Sequence, residues 1–287
     1  MLDFSFLDRT QVTIMGHELK AAEANPKSQF YEYNDIPSFA RPYLETYYAC
    51  APSEDEREIS KFMLGELKRL GRQFDLYVEI GCGGTLHHSV PMVPYVRSIV
   101  LTDYLEDARR EAQLWASGDP NTFSWDHYIA KSLEHEGFTV NDASIAGRRT
   151  ELRTKIRSII PCDVRSIPIV DLPLTKDTLF GMFFVSAEVG GDLPGWTDVM
   201  RCVCATIPVG GHLFISALRG MSEYVLLDPS GNEFRRIRCA PVDETHFADL
   251  LPKLGFSNPT VKAHLIENPD VHIPGPRPMG PSYLLLW

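Results

Sequence analysis

The sequence predicts an α/β fold, a mainly parallel β-sheet covered by helices on both faces. Three observations carry this expectation. From Asp75 onward, short apolar runs alternate with longer stretches of helical periodicity. A glycine-rich turn, Gly81-Cys82-Gly83-Gly84-Thr85, follows the first apolar run directly, and the second run ends on an acid, Asp103. Strands that alternate with helices in this way pair in parallel through crossovers, and one core of that design suits 287 residues.

Taken in order, the first fifty residues are rich in aromatics: Phe30, Tyr31, Tyr33, Phe39, Tyr43, Tyr47 and Tyr48. A helix is expected from Glu54 to Leu70, with Ile59, Met63, Leu67 and Leu70 on one face. Ser53 and Glu56 have the spacing of a capping box at its start. Leu76 to Ile80 and Ser98 to Asp103 read as strands, Glu106 to Ala116 as a helix. A third helix is expected from Ile145 to Ser158, with Ile145, Leu152 and Ile156 facing inward.

Strands at Phe180 to Ser186 and His212 to Ala217 flank a helix from Trp196 to Thr206, which Pro208 and Gly210-Gly211 stop. Tyr224 to Arg238 reads as a hairpin turning at Asp228 to Asn232. A last helix, Glu244 to Leu254, ends at Gly255. Strands at Val261 to Ile266 and Tyr283 to Leu286 follow, linked by a proline-rich loop from Asn268 to Pro281. No internal repeat is present.

Bulk properties exclude several classes. A formal net charge of -10 argues against affinity gained by neutralising nucleic-acid phosphates. The local basic runs Arg148-Arg149 and Arg235-Arg236-Ile237-Arg238 read as solvated faces of a helix and a strand. Met1-Leu2-Asp3-Phe4 lacks the basic start and long apolar run of a secretion signal, and no stretch is long and apolar enough to cross a bilayer. The six cysteines have no zinc-ligand spacing, and Cys202 and Cys204 diverge on a helix. Reduced thiols in a cytoplasmic protein are expected.

The chemistry centres on the loop Glu79-Ile80-Gly81-Cys82-Gly83-Gly84-Thr85 and the acid Asp103. Glycines let the backbone turn sharply and approach a ligand, and in open α/β sheets ligands lie beyond the carboxyl ends of the strands. An acid ending the second strand can accept from both ribose hydroxyls. The dinucleotide fingerprint needs a third glycine three residues after the second, and position 86 is Leu. Nicotinamide and flavin cofactors are therefore disfavoured. S-adenosylmethionine carries no phosphate, and an acidic glycine loop suits its ammonium and sulfonium charges. On the loop alone, a methyltransferase is one of several Rossmann-like options.

The flanks narrow the choice. Arg41-Pro42-Tyr43-Leu44-Glu45-Thr46-Tyr47-Tyr48, Glu79 to Thr85, Val100-Leu101-Thr102-Asp103-Tyr104, and the stretch from Phe123-Ser124-Trp125 to Pro161-Cys162-Asp163-Val164 carry a family resemblance. Weaker similarity runs on through Asp192-Leu193-Pro194 and Pro208-Val209-Gly210-Gly211. The chain resembles the family of nicotinamide N-methyltransferase, phenylethanolamine N-methyltransferase and thioether S-methyltransferase, from about Tyr33 to the end.

The resemblance implies a Rossmann-like class I methyltransferase fold, a seven-stranded, mostly parallel sheet closed by a C-terminal antiparallel hairpin. It implies an N-terminal helical cap or lid over residues 1–70 and a methyltransferase unit over 71–287. Tyr43 and Tyr48 would belong to the lid. Gly81, Cys82, Gly83 and Thr85 would meet the methionine part of S-adenosylmethionine and Asp103 its ribose. Asp163 and Val164 would flank the adenine, and Tyr104 and Ser186 complete the expected cofactor set. The plainer alternatives are a tyrosine face packed on the core and, for Asp163, a helix cap.

The acceptor side departs from the family. Ala108 stands five residues past Asp103, where an amide is usual, and Ser216 stands where the nicotinamide enzyme has an acid. Nicotinamide itself is therefore not the expected substrate. Glu188, Glu223 and Tyr224 are the expected catalytic group. Either acid would hold or deprotonate an amine, and Tyr224 would stack on a flat acceptor. The plain readings are a helix-start acid for Glu188 and a solvent-facing hairpin residue for Glu223. His87 would line the methyl-donor channel or, as a lone histidine, be a satisfied structural group. His264 and His272 lie near the last loop. No pair or triad shows metal-ligand spacing, so no metal is expected.

The expected activity is N-methylation of a small-molecule amine or heteroaromatic nitrogen by direct displacement, with S-adenosylhomocysteine as product. A thiol or hydroxyl acceptor is the alternative within the fold. A non-catalytic S-adenosylmethionine-binding regulator is the alternative outside it. Val185-Ser186-Ala187-Glu188 is not the Asn/Asp-Pro-Pro-aromatic motif of enzymes that methylate base amines, so nucleic acid is not an expected partner. Neither is a membrane. A monomer or weak dimer is expected.

Overall fold

A computed structural model of the chain describes residues 40–227, 234–257 and 259–265. It also describes the backbone of 282–286 and of two paired two-residue strands, Thr13–Ile14 and His17–Glu18. The expected aromatics Phe30 to Phe39, the turn at 228–232, the loop at 268–281 and His272 lie outside the described residues.

Helices α1 (Ala40–Tyr47) and α2 (Glu54–Leu70) precede strand β1 (Phe74–Ile80). Helix α2 has the limits expected of it. Glu54, Asp55 and Glu56 sit in its first turn and Lys68 and Arg69 in its last, each complementing the helix dipole, and Gly71 ends it at φ 61°. The capping box is not there. Ser53 makes no side-chain cap bond and instead contacts Asp55, while Glu56 turns inward and is buried.

Strand β2 (Val96–Asp103) and α3 (Glu106–Ser117) follow, then α4 (Asp126–Glu136), α5 (Asp142–Lys155) and β3 (Ile156–Pro161). The expected helix to Ser158 stops at Lys155. Ile156 to Pro161 instead pairs in parallel with β2, so ladder bonds to an exposed sheet edge override the apolar periodicity that continued the helix. Helix α4 was not expected at all. It starts after Trp125 without a side-chain cap, which leaves no start signal to read. The run Arg148-Arg149 is not a solvated face either. Arg148 is buried and clamps Glu136 through two bonds of 2.6 and 2.7 Å, and Arg149 holds Asp126 at 2.9 Å, which ties α5 to α4.

Then come β4 (Thr178–Phe183), α6 (Ser186–Gly190), α7 (Leu193–Thr206) and β5 (His212–Leu218). Strand β4 ends three residues before the expected Ser186, which opens α6. A hairpin, β6 (Glu223–Leu227) with β7 (Phe234–Arg238), forms its own two-stranded sheet. Helix α8 (Glu244–Lys253), β8 (Val261–Leu265) and β9 (Ser282–Leu286) complete the described chain.

The main sheet has seven strands in the order β8-β9-β5-β4-β1-β2-β3. Strands β3, β2, β1, β4 and β5 run parallel, and β9 is antiparallel to both of its neighbours. This is the Rossmann-like sheet, closed by an antiparallel pair, that the sequence led us to expect. Period-two alternation sorts the side chains. Tyr77, Leu101, Leu179 and Phe183 join the core under α2 to α5, while Val78, Ile80, Val100, Phe180 and Met182 join the core under α7 and α8. Strand order reverses between β1 and β4, which opens a crevice beyond their carboxyl ends.

Candidate functional site

The loop after β1 occupies that crevice. Gly81, Gly83 and Gly84 hold φ of 68°, 63° and 78°, a region in which a Cβ is strained. At Gly81 a Cβ would also lie 2.6 Å from Val185 Cγ2, whereas at Gly83 it would meet nothing within 4 Å. The loop therefore packs tightly at one end and faces open space in the middle. The Cys82 amide donates to the Thr102 carbonyl at 2.9 Å, and Thr85 returns both its amide (2.9 Å) and hydroxyl (2.7 Å) to the Cys82 carbonyl.

Asp103 locks the loop to β2. Its Oδ2 accepts the Gly83 amide at 2.6 Å and its Oδ1 the Leu105 amide at 2.8 Å. Burial pushes this carboxyl up to about 6, and the two amides limit the rise. An ionised carboxylate offers about four acceptor positions, so two are left for a ligand. Arg109 donates to the carbonyls of Asp103 (2.8 Å) and Tyr104 (2.7 Å), and the Tyr104 side chain is exposed. Ala108 is buried against Gly84, with its carbonyl 3.3 Å from the place a Cβ would take there. Ala108 thus packs helix closely against loop.

Beyond β3, Asp163 is half-buried and accepts the Arg165 amide at 2.9 Å; Val164 is buried. Asp163 caps a turn, since no helix follows. Opposite, β4 leads into α6 through Phe184 at φ 56°, a conformation a bulky residue adopts only when its surroundings impose it. That kink sets Val185 against Gly81 and opens α6 with Ser186. The hydroxyls of Ser186 and of Ser216 on β5 are buried and make no hydrogen bond among the described residues.

Helix α1 and the residue after it supply aromatic groups. The Tyr43 and Tyr48 hydroxyls are 3.4 Å apart, and the Tyr48 ring lies 4.9 Å from His87 and 5.6 Å from Trp125. Polar ties fix this segment: the Ala40 amide to Asp107 at 2.9 Å, Arg41 to Glu111 at 3.0 Å, and the Tyr48 carbonyl to His127 at 2.9 Å. Burial raises the Tyr43 hydroxyl, and the nearby carboxylates of Glu188 and Glu56 add to it. Glu188, on α6, is pushed up to about 8 by burial.

Glu223 begins the hairpin and pairs with Arg236, while the Tyr224 side chain lies outside the described residues. The hairpin is fastened to α6 by the Ala240 amide, which donates to the Ala187 carbonyl at 2.8 Å. Glu188 and Glu223 both raise the buried Cys239 thiol, after burial itself, so the two acids share one neighbourhood. His264 belongs elsewhere, 3.1 Å from Glu54.

One cluster escaped the sequence reading. His87 is not a lone histidine: Glu56 Oε2 lies 2.9 Å from His87 Nε2 and 3.0 Å from His88 Nε2, and all three side chains are buried. Burial alone would raise Glu56, yet the two imidazoles beside it hold it well below the usual carboxylate range. No spacing along the sequence announces this grouping, whose ligand-type atoms lie within 4.8 Å of one another. Adjacent histidines are a weak signal, and their third partner stands 31 positions away from His87.

Known proteins resemble the chain over most of this architecture. The profile described as the NNMT/PNMT/TEMT family matches residues 32–268. Human nicotinamide N-methyltransferase is 27% identical over 193 residues, 65% of this chain and 72% of the relative. Phenylethanolamine N-methyltransferase of Macaca mulatta is 24% identical, covering 66% of this chain and 65% of its own length. Indolethylamine N-methyltransferase of Mus musculus is 26% identical, covering 60% and 67%. A solved DhpI-SAM-HEP complex aligns with a TM-score of 0.48 at 12% identity, over 87% of this chain and 94% of that one.

Proposed function

We infer the function from one premise: this chain belongs to the NNMT/PNMT/TEMT family. It is an S-adenosylmethionine-dependent methyltransferase of small molecules, and we assign the acceptor atom to an amine or heteroaromatic nitrogen. The observation that carries the reading is the Gly81–Thr85 loop, locked by Asp103 and open at Gly83.

The residues fit the cofactor. A Cβ-free opening admits close backbone approach, and a buried carboxylate with two acceptor positions to spare suits a ribose diol. In this assignment Gly81, Cys82, Gly83 and Thr85 hold the methionine part, Asp103 with Tyr104 the ribose, and Asp163 with Val164 the adenine. Ser186 closes the donor side. When bound, S-adenosylmethionine supplies an activated sulfonium methyl for in-line transfer to the acceptor. The protein's main task is then positioning, which is worth roughly 7–11 kcal/mol of barrier when two reactants are held in attack geometry.

Residues 1–70 act as a cap on the 71–287 methyltransferase unit, with Tyr43 and Tyr48 shielding the reacting centre from water. Glu188 is the acid or base of the acceptor side. Near neutral pH it holds its proton, and it ionises around pH 8, where an amine acceptor must also shed a proton to become a nucleophile. The Ser216 hydroxyl, without a hydrogen bond among the described residues, offers the acceptor a polar contact without charge. Glu223, already matched by Arg236, is the weaker candidate for the base, and Tyr224 keeps its assignment as an acceptor-stacking ring. No described helix is long and apolar enough to cross a membrane. The same reading has the protein act in the cytoplasm as a monomer or weak dimer, without nucleic acid.

Calorimetric titration with S-adenosylmethionine tests the donor assignment, and methylation of amine, pyridine-like and thiol panels tests the acceptor. An Asp103→Ala chain with undiminished affinity sinks the first. Turnover confined to thiols sinks the second.

A further inference from the structure

We propose that Glu56, His87 and His88 form a binding site for one divalent transition-metal ion, with zinc the best chemical fit. The ligand atoms of the three side chains lie within 4.8 Å of one another, and each side chain is more than nine-tenths buried. Two imidazoles and one carboxylate are a donor set that zinc favours, and three protein ligands leave a position open. Bonds of about 2.0–2.2 Å in a tetrahedron put ligand atoms about 3.3 Å apart. The carboxylate oxygen sits 2.9 and 3.0 Å from the two Nε2 atoms, close to those edges.

Two further observations point to a metal rather than to hydrogen bonds alone. His87 is buried, yet neither of its ring nitrogens has a hydrogen-bond partner among the described residues. Its 2.9 Å approach to Glu56 lacks the angle of a hydrogen bond. Buried polar atoms are nearly always satisfied, and a metal cation is a partner that an imidazole lone pair without a donor accepts. A carboxylate also stands behind His88. Its Nδ1 faces Glu79 Oε1 at 3.7 Å, and Glu79 Oε2 is held by the Ser89 hydroxyl at 2.5 Å. Rings cover the cluster on two sides. Trp125 stacks at 14° on His87 and Phe183 at 21° on His88, which fixes both imidazole planes.

The ligands join different parts of the chain. Glu56 comes from α2, and the histidines follow the glycine loop, so a bound ion staples the cap to the crevice beside Tyr48. The site does not depend on which acceptor the enzyme uses.

The test uses the full-length chain, stripped with a chelator and titrated with zinc, and separately with cobalt(II) as a spectroscopic probe. The expected result is one zinc per chain with submicromolar affinity, a higher melting temperature, and the visible absorption of a four- or five-coordinate cobalt site. His87→Gln and His88→Gln should each weaken zinc at least about 100-fold, and Glu79→Gln, which touches only the outer support, about 10–100-fold. Zinc bound at full stoichiometry by the double histidine variant overturns the proposal. If those variants do not fold, the wild type decides: stripped chain that binds neither ion overturns it. S-adenosylmethionine binding by that same metal-free protein would show the methyltransferase reading standing while the metal site fails.

Discussion

The two sides of the crevice are built differently. On the donor side, the glycine loop and Asp103 come from neighbouring strands and touch mainly through backbone: Gly83 and Leu105 amides on one carboxylate, and Cys82 on the Thr102 carbonyl. On the side we propose for the acceptor, Glu188, Ser216 and Glu223 come from a short helix, a strand and a hairpin. These residues lie far apart in the chain and meet only because their elements pack together, as where the Ala240 amide reaches the Ala187 carbonyl. The contrast separates a part that recognises a constant ligand from a part free to change with the acceptor. Substitutions that break donor binding without touching acceptor chemistry, and the reverse, test the division.

The largest effect is expected at Asp103. Removing a carboxylate that would receive two ribose hydroxyls forfeits roughly 1.5–3 kcal/mol per charge-assisted bond, about 100-fold or more in affinity. Asp103→Ala should raise the Kd for S-adenosylmethionine by at least that factor in calorimetry. Wild-type affinity should also fall as pH drops through about 6, because the acid form loses acceptor positions. A pH-independent Kd between 5 and 8 would contradict the assignment.

Next comes Glu188→Gln, which should lower kcat for amine acceptors about 100-fold, the lower end for a general base, while leaving the S-adenosylmethionine Kd within about threefold. The wild-type kcat should climb with pH toward a plateau above about 8, and the variant should lose that limb. Stability carries the same signature. Asp103 and Glu188 are both harder to ionise folded than unfolded, so their contribution is greatest below the ordinary carboxylate range. It is lost as pH rises through about 6 and about 8. Thermal melts of the Gln variant should show the upper loss removed.

A smaller, mixed effect is expected at Gly81. A left-handed conformation costs a residue with a Cβ about 1–2 kcal/mol, and here the Cβ would also press on Val185 at 2.6 Å. Gly81→Ala should lower the melting temperature by several degrees and weaken S-adenosylmethionine about tenfold. Gly83→Ala faces no such neighbour and should melt higher than Gly81→Ala, yet still bind poorly, since its methyl group projects into the ligand's space. Equal melting temperatures would remove the argument that one end of the loop is packed and the other open.

The same contrast explains what the sequence made legible. Strands, glycine turn and terminal acid are local patterns, and β1, β2, β5 and the closing antiparallel pair appear where the residues put them. The misses are long-range. Ile156 to Ser158 continues a helical periodicity until a neighbouring strand edge claims it. Arg148 looks like half of a solvated pair until Glu136 is brought within 2.6 Å. Helix α4 lacks a cap to announce it, and Glu56 looks like half of a capping box until two histidines draw it inward. In each case a partner far along the chain overrides a short-range signal.

The smallest effect is expected at Glu223, and it sharpens the comparison most. Its carboxylate pairs with Arg236 on the facing strand of the hairpin, and neither side chain is deeply buried. An ion pair at such a site is worth about 0–1 kcal/mol, so Glu223→Gln should shift the melting temperature little. The same carboxylate is already engaged by the guanidinium, so kcat should change by no more than about twofold. The informative variant is therefore the partner's. Arg236→Gln frees Glu223 without deleting it, and amine turnover unchanged in both variants leaves Glu188 as the acceptor-side acid. A large loss in Glu223→Gln with Glu188→Gln near wild type would move the proton chemistry from α6 to the hairpin.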